Sequence, residues 1–242
     1  MTRKITFVVV GILVASFPSK GGSESAASAG WEPWKSNPTI TVVSVESDSR
    51  LPSVDEAVAF WNDQFGEIGS AFRLGTISRV VREIAAYDLP FSGSGLSPKA
   101  REEQFKIIGQ LQRVPGDIVI VLSEKKTTSF ASVLPPPGRK IATIISADDA
   151  TPRNTKNLPT VGVTKFNVSL NAIAHELGHV VGLDHNKEDG TLMCAGSPFC
   201  FARPPQGRIY PLSAAEKKTL LTWYPGDWKP RYGERHTGSG IE

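Results

Sequence analysis

The order of apolar and polar residues predicts alternating strands and helices between residues 39 and 224. Five segments have the β-branched alternation or the unbroken apolar run that is typical of strands. The run DIVIVL at 117–122 predicts a buried central strand, whereas the segment 129–134 leads into three prolines and a glycine and is expected at a sheet edge. The predicted strands are residues 39–45, 72–84 (a strand or a hairpin), 117–122, 129–134 and 140–146.

Four further segments have apolar residues at helical spacing, and each has a recognisable start or stop signal. Ser53 is the candidate N-cap of the first helix, Pro98 opens the second, and Gly182 follows the third. Ser213 and Glu216 form the capping-box pattern that opens the last helix. Helices and strands are interleaved, which indicates an α+β or α/β class with a mixed sheet. The predicted helices are residues 52–66, 97–114, 169–181 and 213–224.

The first residues of the chain have the pattern of a secretory signal. Arg3 and Lys4 precede an apolar run at 5–17, which is too short to span a bilayer comfortably, and small residues at 27–29 offer a cleavage site. An uncleaved anchor stays open as the alternative and would be the only link to a membrane. The predicted division is a signal peptide at 1–29, a linker at 30–38, one domain at 39–225 and a polar tail at 226–242.

Composition narrows the class of protein. A chain of 242 residues with 40% hydrophobic and 21% charged residues is not mainly disordered. Its net charge of +3, from 27 basic and 24 acidic residues, is too weak and too dispersed to indicate a nucleic-acid partner. An exported chain with only two cysteines, Cys194 and Cys200, is expected to join them in a disulfide. We expect a secreted or periplasmic monomer.

The candidate chemistry lies at the end of the third predicted helix, in His175-Glu176-Leu177-Gly178-His179 and the residues up to His185. His175 and His179 are four residues apart, so their imidazoles share one helix face and can converge on one metal ion. Gly182 permits the positive φ that ends the helix, after which the chain turns back and offers His185 as a third ligand. Three imidazoles leave one position open, as in catalytic rather than structural zinc sites. Glu176 is the candidate general base that removes a proton from the attacking water.

The pattern H-E-x-x-H-x-x-G-x-x-H followed by a methionine resembles the metzincin zinc metalloproteases. Thr191-Leu192-Met193 lies eight residues beyond His185, a spacing similar to that of the matrixin branch. The resemblance implies a zincin fold, α+β with a mixed twisted sheet, an active-site helix and a small C-terminal subdomain. It also implies one catalytic zinc ion, protein or peptide substrates, and a hydrophobic floor formed by Met193. Matrixins usually continue with Met-Tyr-Pro, and this chain departs from that pattern with Cys194 and Ala195.

The leading hypothesis is therefore a secreted zinc-dependent endopeptidase. Two alternatives stay open, a zinc-holding binding module without turnover and a zinc amidase acting on cell-wall peptide. Tyr210 either steadies the tetrahedral intermediate or is a packed aromatic residue. Asp148 and Asp149 either bind calcium or are solvated carboxylates in a turn, since calcium needs more oxygen ligands than these two residues supply. A second zinc ion is not expected, because His236 is the only spare histidine.

Overall fold

A five-stranded sheet of mixed direction organises the residues that the computed structural model describes, which are 31–81, 97–124, 129–135, 139–147, 165–195, 200 and 207–230. The strands are β1 (Ile40–Ser44), β2 (Ile77–Val81), β3 (Ile118–Leu122), β4 (Phe130–Val133) and β5 (Ile141–Ile145). Their order across the sheet is β2-β1-β3-β5-β4. Four strands are parallel, and β4 runs antiparallel to β5 at one edge. The predicted central position of β3 and the edge position of β4 are both confirmed.

Helices cover both faces of the sheet, which explains why the central strands are apolar without alternation. The helices are α1 (Leu51–Glu67), α2 (Pro98–Arg113), α3 (Lys165–Val180) and α4 (Ala214–Trp223). Alternate residues of β3 point to opposite cores: Ile118 and Ile120 pack in the core that contains α1 and α3, whereas Val119 packs in the core that contains α2. The indole N–H of Trp61 in α1 donates to the carbonyl of Ala174 in α3 at 2.9 Å. The predicted α+β class with a mixed sheet is confirmed.

The start of α1 differs from the prediction. Ser53 lies inside the helix and is 1% exposed, while Arg50 occupies the cap position without a side-chain capping bond. The reason lies in the preceding turn, where Asp48 accepts from the backbone and side chain of Arg50 and the Leu51 N–H donates to the Asp48 carbonyl. This turn starts the helix before Ser53 is reached. The last helix does begin as predicted, with a complete capping box between Ser213 and Glu216.

The prediction of a strand or hairpin at 72–84 is confirmed only for β2. Because β2 pairs parallel to β1 after the α1 crossover, this segment joins the sheet through a helix and not through a hairpin turn. Phe72 and Leu74, which precede β2, are buried in the core outside any strand. Residues 82–84 lie outside the described part of the chain. The third helix begins at Lys165, four residues before its predicted start at Ser169.

Two segments that were predicted to lie outside the domain pack against it. Trp34, in the predicted linker 30–38, is 5% exposed and belongs to the main core, where its indole N–H donates to the carbonyl of Val180 in α3 and its backbone N–H donates to the Tyr224 hydroxyl. Trp228, in the predicted tail, packs against Phe72 and Tyr224 with ring centroids 5.1 and 6.5 Å apart. Aromatic rings of this size bury enough apolar surface to hold a short segment in place.

Some predictions fall on residues that the structure does not describe. They are the signal peptide at 1–29, the Asp148-Asp149 turn and the end of the tail beyond residue 230. Within the described ranges, no helix combines the length and apolar character needed to cross a membrane.

Candidate metal centre

The centre is built on the last turns of α3 and the loop that follows. His175 and His179 stand one turn apart on the helix, and α3 ends at Val180. Gly182 then adopts a φ of +102°, a left-handed conformation that reverses the chain direction. Hydrogen bonds from Gly182 N to His179 O at 3.0 Å and from Leu183 N to Gly178 O at 2.8 Å close this turn. The loop therefore returns His185 to the face that carries the other two histidines, as predicted.

The three imidazoles converge through their Nε2 atoms. The Nε2 atom of His185 lies 3.1 Å from that of His175 and 3.0 Å from that of His179. Three nitrogen ligands of a tetrahedral zinc ion, each about 2.0–2.1 Å from the metal, would lie about 3.3 Å apart. The spacing of the donor atoms fits such an ion with only a small adjustment of the rings.

The tautomers of two rings are set by backbone carbonyls. The Nδ1 atoms of His175 and His179 lie 2.7 Å from the carbonyl oxygens of Leu192 and Leu183 respectively. A carbonyl oxygen only accepts, so each Nδ1 carries the proton and each Nε2 presents a lone pair. The Nε2 atom of His185 can donate a proton to only one of these two lone pairs, which leaves the other facing it without a hydrogen bond. A cation bound between the three Nε2 atoms would accept all three lone pairs and remove that unfavourable contact. Oriented histidines of this kind are typical of metal centres.

The environment keeps His179 neutral. Burial first, and then the neighbouring imidazoles of His175 and His185, lower the pKa of His179 to about 3. Metal coordination requires the neutral ring, so this side chain is available as a ligand at physiological pH.

Glu176 follows the first histidine on α3, and it is only 5% exposed. A carboxylate held in such a low-dielectric environment interacts more strongly with a nearby charge than it would in water. The helix therefore places a buried carboxylate one residue from a candidate ligand, as the sequence pattern predicts.

Met193 lies beneath the histidine helix. Its side chain is fully buried, and a Cβ atom added to Gly178 would lie only 2.3 Å from the Met193 sulfur. The glycine between the two helical histidines thus permits the close approach of the methionine to α3. This contact agrees with the floor that the metzincin resemblance implies.

Cys194 and Cys200 form the predicted disulfide. Gly190 N donates to the Cys200 carbonyl at 3.0 Å, so the bridged segment is also attached to the loop after His185. Asp189 and the two sulfurs form the second cluster of potential ligand atoms among the described residues. Because both sulfurs are in the disulfide, this cluster has no thiolate to offer and is not a metal centre like the histidine cluster.

Three aromatic donors close the end of α3, and sequence reasoning predicted this role for none of them. The indole N–H groups of Trp34 and Trp31 donate to the Val180 carbonyl at 2.9 and 3.4 Å, and the Tyr224 hydroxyl donates to the Val181 carbonyl at 3.3 Å. These bonds satisfy carbonyl groups that a helix end leaves without an intrahelical partner. Two tryptophans within four residues of an otherwise polar linker were the available signal.

Asn171, also missed, stands one turn before His175 and holds the segment 208–210. Its side chain donates to the Arg208 carbonyl and accepts from the Tyr210 N–H, both at 2.9 Å. Tyr210 is 7% exposed, and burial raises the pKa of its hydroxyl group. The packed position agrees with the structural alternative for Tyr210, and no contact with a substrate follows from it.

Among 81 chains of solved structures that are similar to this chain are an archaemetzincin and a metalloproteinase. Archaemetzincin from Methanopyrus kandleri is 15% identical, with a TM-score of 0.43 over 76% of this chain and 94% of its own. Metalloproteinase-II from Bacteroides fragilis is 14% identical, with a TM-score of 0.43 over 80% of this chain and 55% of its own. No protein-family model and no curated protein matches the chain. Neither structural likeness is strong enough to assign an activity to this chain.

Proposed function

We propose that this protein is a metzincin-type, zinc-dependent endopeptidase whose single zinc ion is held by His175, His179 and His185. The observation that carries the proposal is the convergence of the three Nε2 atoms, two of them oriented by backbone carbonyls. The matrixin branch is supported by the position of Met193 beneath α3, eight residues after His185. Structural sites generally use four protein ligands, so a three-histidine centre favours catalysis.

Glu176 is proposed as the general base. When bound, zinc would supply a Lewis acid that polarises the scissile carbonyl and makes water a better nucleophile near neutral pH. The Glu176 carboxylate would accept a proton from the attacking water while the new C–O bond forms. It would then deliver that proton to the amide nitrogen as the C–N bond breaks, releasing a neutral amine and regenerating the carboxylate.

The peptide substrate is proposed to lie along β4. This strand is the last in the described sheet order and also contacts α3, which carries two of the histidines. An extended peptide that pairs with β4 by strand addition would pass beside the candidate metal centre. The wall of the pocket for the residue after the cut is proposed to be the segment from Cys194 to Tyr210, of which residues 196–199 and 201–206 lie outside the described part of the chain. Asn171 holds its described end at Tyr210.

A location outside the cytoplasm, either secreted or periplasmic, belongs to the same proposal. The Cys194–Cys200 disulfide supports it, since such bonds persist mainly in oxidising compartments. The predicted signal peptide at 1–29 is the other support.

The test compares wild type with Glu176→Ala, since Glu176 is not a proposed ligand. Zinc analysis should give about one equivalent in both proteins. Wild type should cleave casein, and a chelator should abolish that activity. For Glu176→Ala we expect kcat/KM on a peptide substrate to fall roughly 10²–10⁴-fold, the usual contribution of a positioned base.

Near wild-type activity of Glu176→Ala with full zinc would contradict the proposed mechanism. A wild-type protein that holds zinc but cleaves only isolated cell-wall peptide would be an amidase. One that holds zinc and cleaves neither kind of substrate would be a binding module.

A further inference from the structure

Asn186, the residue directly after His185, connects the third histidine to the methionine segment. Its backbone N–H donates to the Met193 carbonyl at 2.9 Å, and its carbonyl accepts from the Ala195 N–H at 2.9 Å. Leu192, the neighbour of Met193, offers its carbonyl to the Nδ1 atom of His175. The segment 192–195 therefore contacts two candidate ligands. It binds His175 directly, and it holds His185 through the neighbouring residue Asn186.

The Asn186 side chain is bonded on both sides of its amide. Oδ1 accepts from the Glu188 N–H at 2.7 Å, while the Nδ2 group donates to the Thr191 hydroxyl at 3.1 Å and to the Glu216 carboxylate. The amide plane is therefore set by partners on the loop and by one partner on α4, thirty residues along the chain.

Glu216 is an unusual partner, because it is a carboxylate with only 5% of its surface exposed. One of its oxygens accepts from the Asn186 side chain, and the other accepts from the Ser213 N–H at 2.7 Å. Each oxygen thus faces a donor, which a buried carboxylate requires. The capping box explains the bond to Ser213 but leaves the bond to Asn186 without a role in the helix itself.

We propose that Asn186 and Glu216 form a positioning pair through which α4 holds His185 and Met193 in the arrangement that binds zinc. The inference rests on the proposed function and deepens it by adding two residues outside the ligand set. Partners that orient metal ligands from outside the coordination sphere typically change metal affinity by 10–100-fold when they are lost.

The pattern of donors and acceptors provides a sharp test. Asn186→Asp keeps the shape of the side chain but places two carboxylates in contact. Glu216→Gln brings an amide N–H against a donor, either that of Asn186 or that of Ser213, whichever way the amide is turned. In the double variant Asn186→Asp with Glu216→Gln, the new amide donates to the new carboxylate and its oxygen accepts from Ser213, so every bond between the pair is restored with the roles exchanged.

The experiment measures the zinc dissociation constant of each apoprotein by competition with a chromophoric chelator. The absorption spectrum of the cobalt(II) form reports ligand geometry independently of activity. We expect zinc binding roughly 10–100-fold weaker in Asn186→Asp, as for lost outer partners of a ligand, with an altered cobalt spectrum. Glu216→Gln should also bind zinc more weakly, and the double variant should return within about threefold of wild type because its hydrogen bonds match. Glu188→Gln, an exposed acid-to-amide change in the same loop, is the control and should behave as wild type.

Unchanged zinc affinity and cobalt spectrum in Asn186→Asp would overturn the assignment, as would a double variant no better than the single ones. If the single variants do not fold, a folded double variant with wild-type zinc binding supports the pair, and an unfolded one overturns it. A wild-type protein without zinc affinity would overturn the proposed function and this assignment together. If the wild-type protein binds zinc and Asn186→Asp binds it with the same affinity, this assignment alone is overturned.

Discussion

Two constraints require a glycine at position 182, its left-handed backbone conformation and its close packing against two tryptophan rings. Its φ of +102° is rarely adopted by residues with a Cβ atom. A Cβ atom at this position would also lie 2.1 Å from the Trp31 ring and 2.4 Å from the Trp223 ring. The two ring centroids lie 4.4 Å apart with the ring planes tilted by 38°, and both rings pack against the turn that leads to His185. Gly182 therefore lets the chain turn back toward the metal centre, and it leaves room for the two tryptophan rings that pack on this turn.

Gly182→Ala should destabilise the protein by about 2–5 kcal/mol, from left-handed backbone strain together with overpacking. Gly69→Ala is the matched control, because Gly69 has a φ of +76° but no atom within 4 Å of its added Cβ. The control should cost only the backbone term, about 1–2 kcal/mol. Urea unfolding of the two variants measures the difference, and equal losses would show that the tryptophans do not restrict this position.

At the scale of elements, α3 is held at its end by a segment from far away in the sequence. Trp34 donates to the Val180 carbonyl, and the Arg139 guanidinium, at the start of the β5 segment, lies 3.9 Å from the centre of the Trp34 ring. Burial is the main cause that lowers the pKa of Arg139. A cation over a tryptophan face stabilises such a contact by about 0.5–2 kcal/mol. The residues 31–34 thus connect the sheet to the end of the histidine helix.

Trp34→Phe should keep most of the ring packing but remove the N–H donor at Val180. We expect a loss of about 0.5–1.5 kcal/mol, the net contribution of one hydrogen bond, because the Val180 carbonyl loses its shorter indole bond but keeps the longer one from Trp31. Trp228→Phe, a change within the aromatic cluster of Phe72 and Tyr224, serves as the control. The free energies of unfolding and the zinc affinities of both variants should be compared. If Trp34→Phe affects neither quantity more than the control does, the capping role is wrong.

The turn before α1 makes a second connection between elements. Arg50 binds the Asp48 carboxylate and donates to the carbonyls of Ser123, Ile145 and Ser146, at the ends of β3 and β5. Burial by itself would raise the pKa of Asp48, but the hydrogen bonds and charge of Arg50 outweigh it, and the net pKa is lowered. The ionised carboxylate is therefore the form that the folded state favours.

A lowered folded-state pKa adds stability above the unfolded-state pKa of Asp48, and that stability is lost as the pH falls through the lower, folded value. We expect Asp48→Asn to be less stable than wild type at neutral pH and to lose less stability on acidification. Asp55→Asn, which removes an exposed ion pair with Arg79, should cost at most about 1 kcal/mol. Denaturant unfolding between neutral and acidic pH measures all three proteins. Parallel curves for wild type and Asp48→Asn would contradict the assignment.

At the scale of the whole molecule, the candidate centre joins parts that are separate in the fold. α3 packs on α1 and the sheet, the loop after Gly182 supplies His185, and the methionine segment is attached to α4 through Asn186 and Glu216. A metal ion bound by all three histidines would bind the folded chain in preference to the unfolded one. Its binding is thereby coupled to the stability of the whole domain.

Zinc should therefore raise the unfolding temperature of the apoprotein. The stabilisation is about 2.7 kcal/mol when free zinc is 100 times its dissociation constant. His185→Ala should lose most of this response because only two ligands remain. His236→Ala changes the fourth histidine of the chain and should retain the full response. Thermal unfolding with and without zinc measures the effect, and an equal response of His185→Ala and wild type would contradict the ligand assignment.

Local patterns in the sequence were sufficient for much of the fold and for the candidate ligands. Helical spacing brings His175 and His179 onto one face, and Gly182 can reverse the chain within three residues of His185, so local geometry is sufficient to identify the three candidate ligands. The apolar run of β3 likewise indicates burial on both faces. These features depend on neighbours a few residues apart, and short-range backbone geometry determines them.

Only the tertiary structure decided the features that depend on distant partners. It brought Trp34 to the end of α3, placed Glu216 against Asn186, and paired β2 parallel to β1. It also attached the turn before α1 to the ends of two strands, through the contacts of Arg50 with the carbonyls of Ser146 and Ser123. The physical reason is that such contacts depend on complementary shape, charge and hydrogen-bonding groups in three dimensions, which leave no periodic trace along the chain.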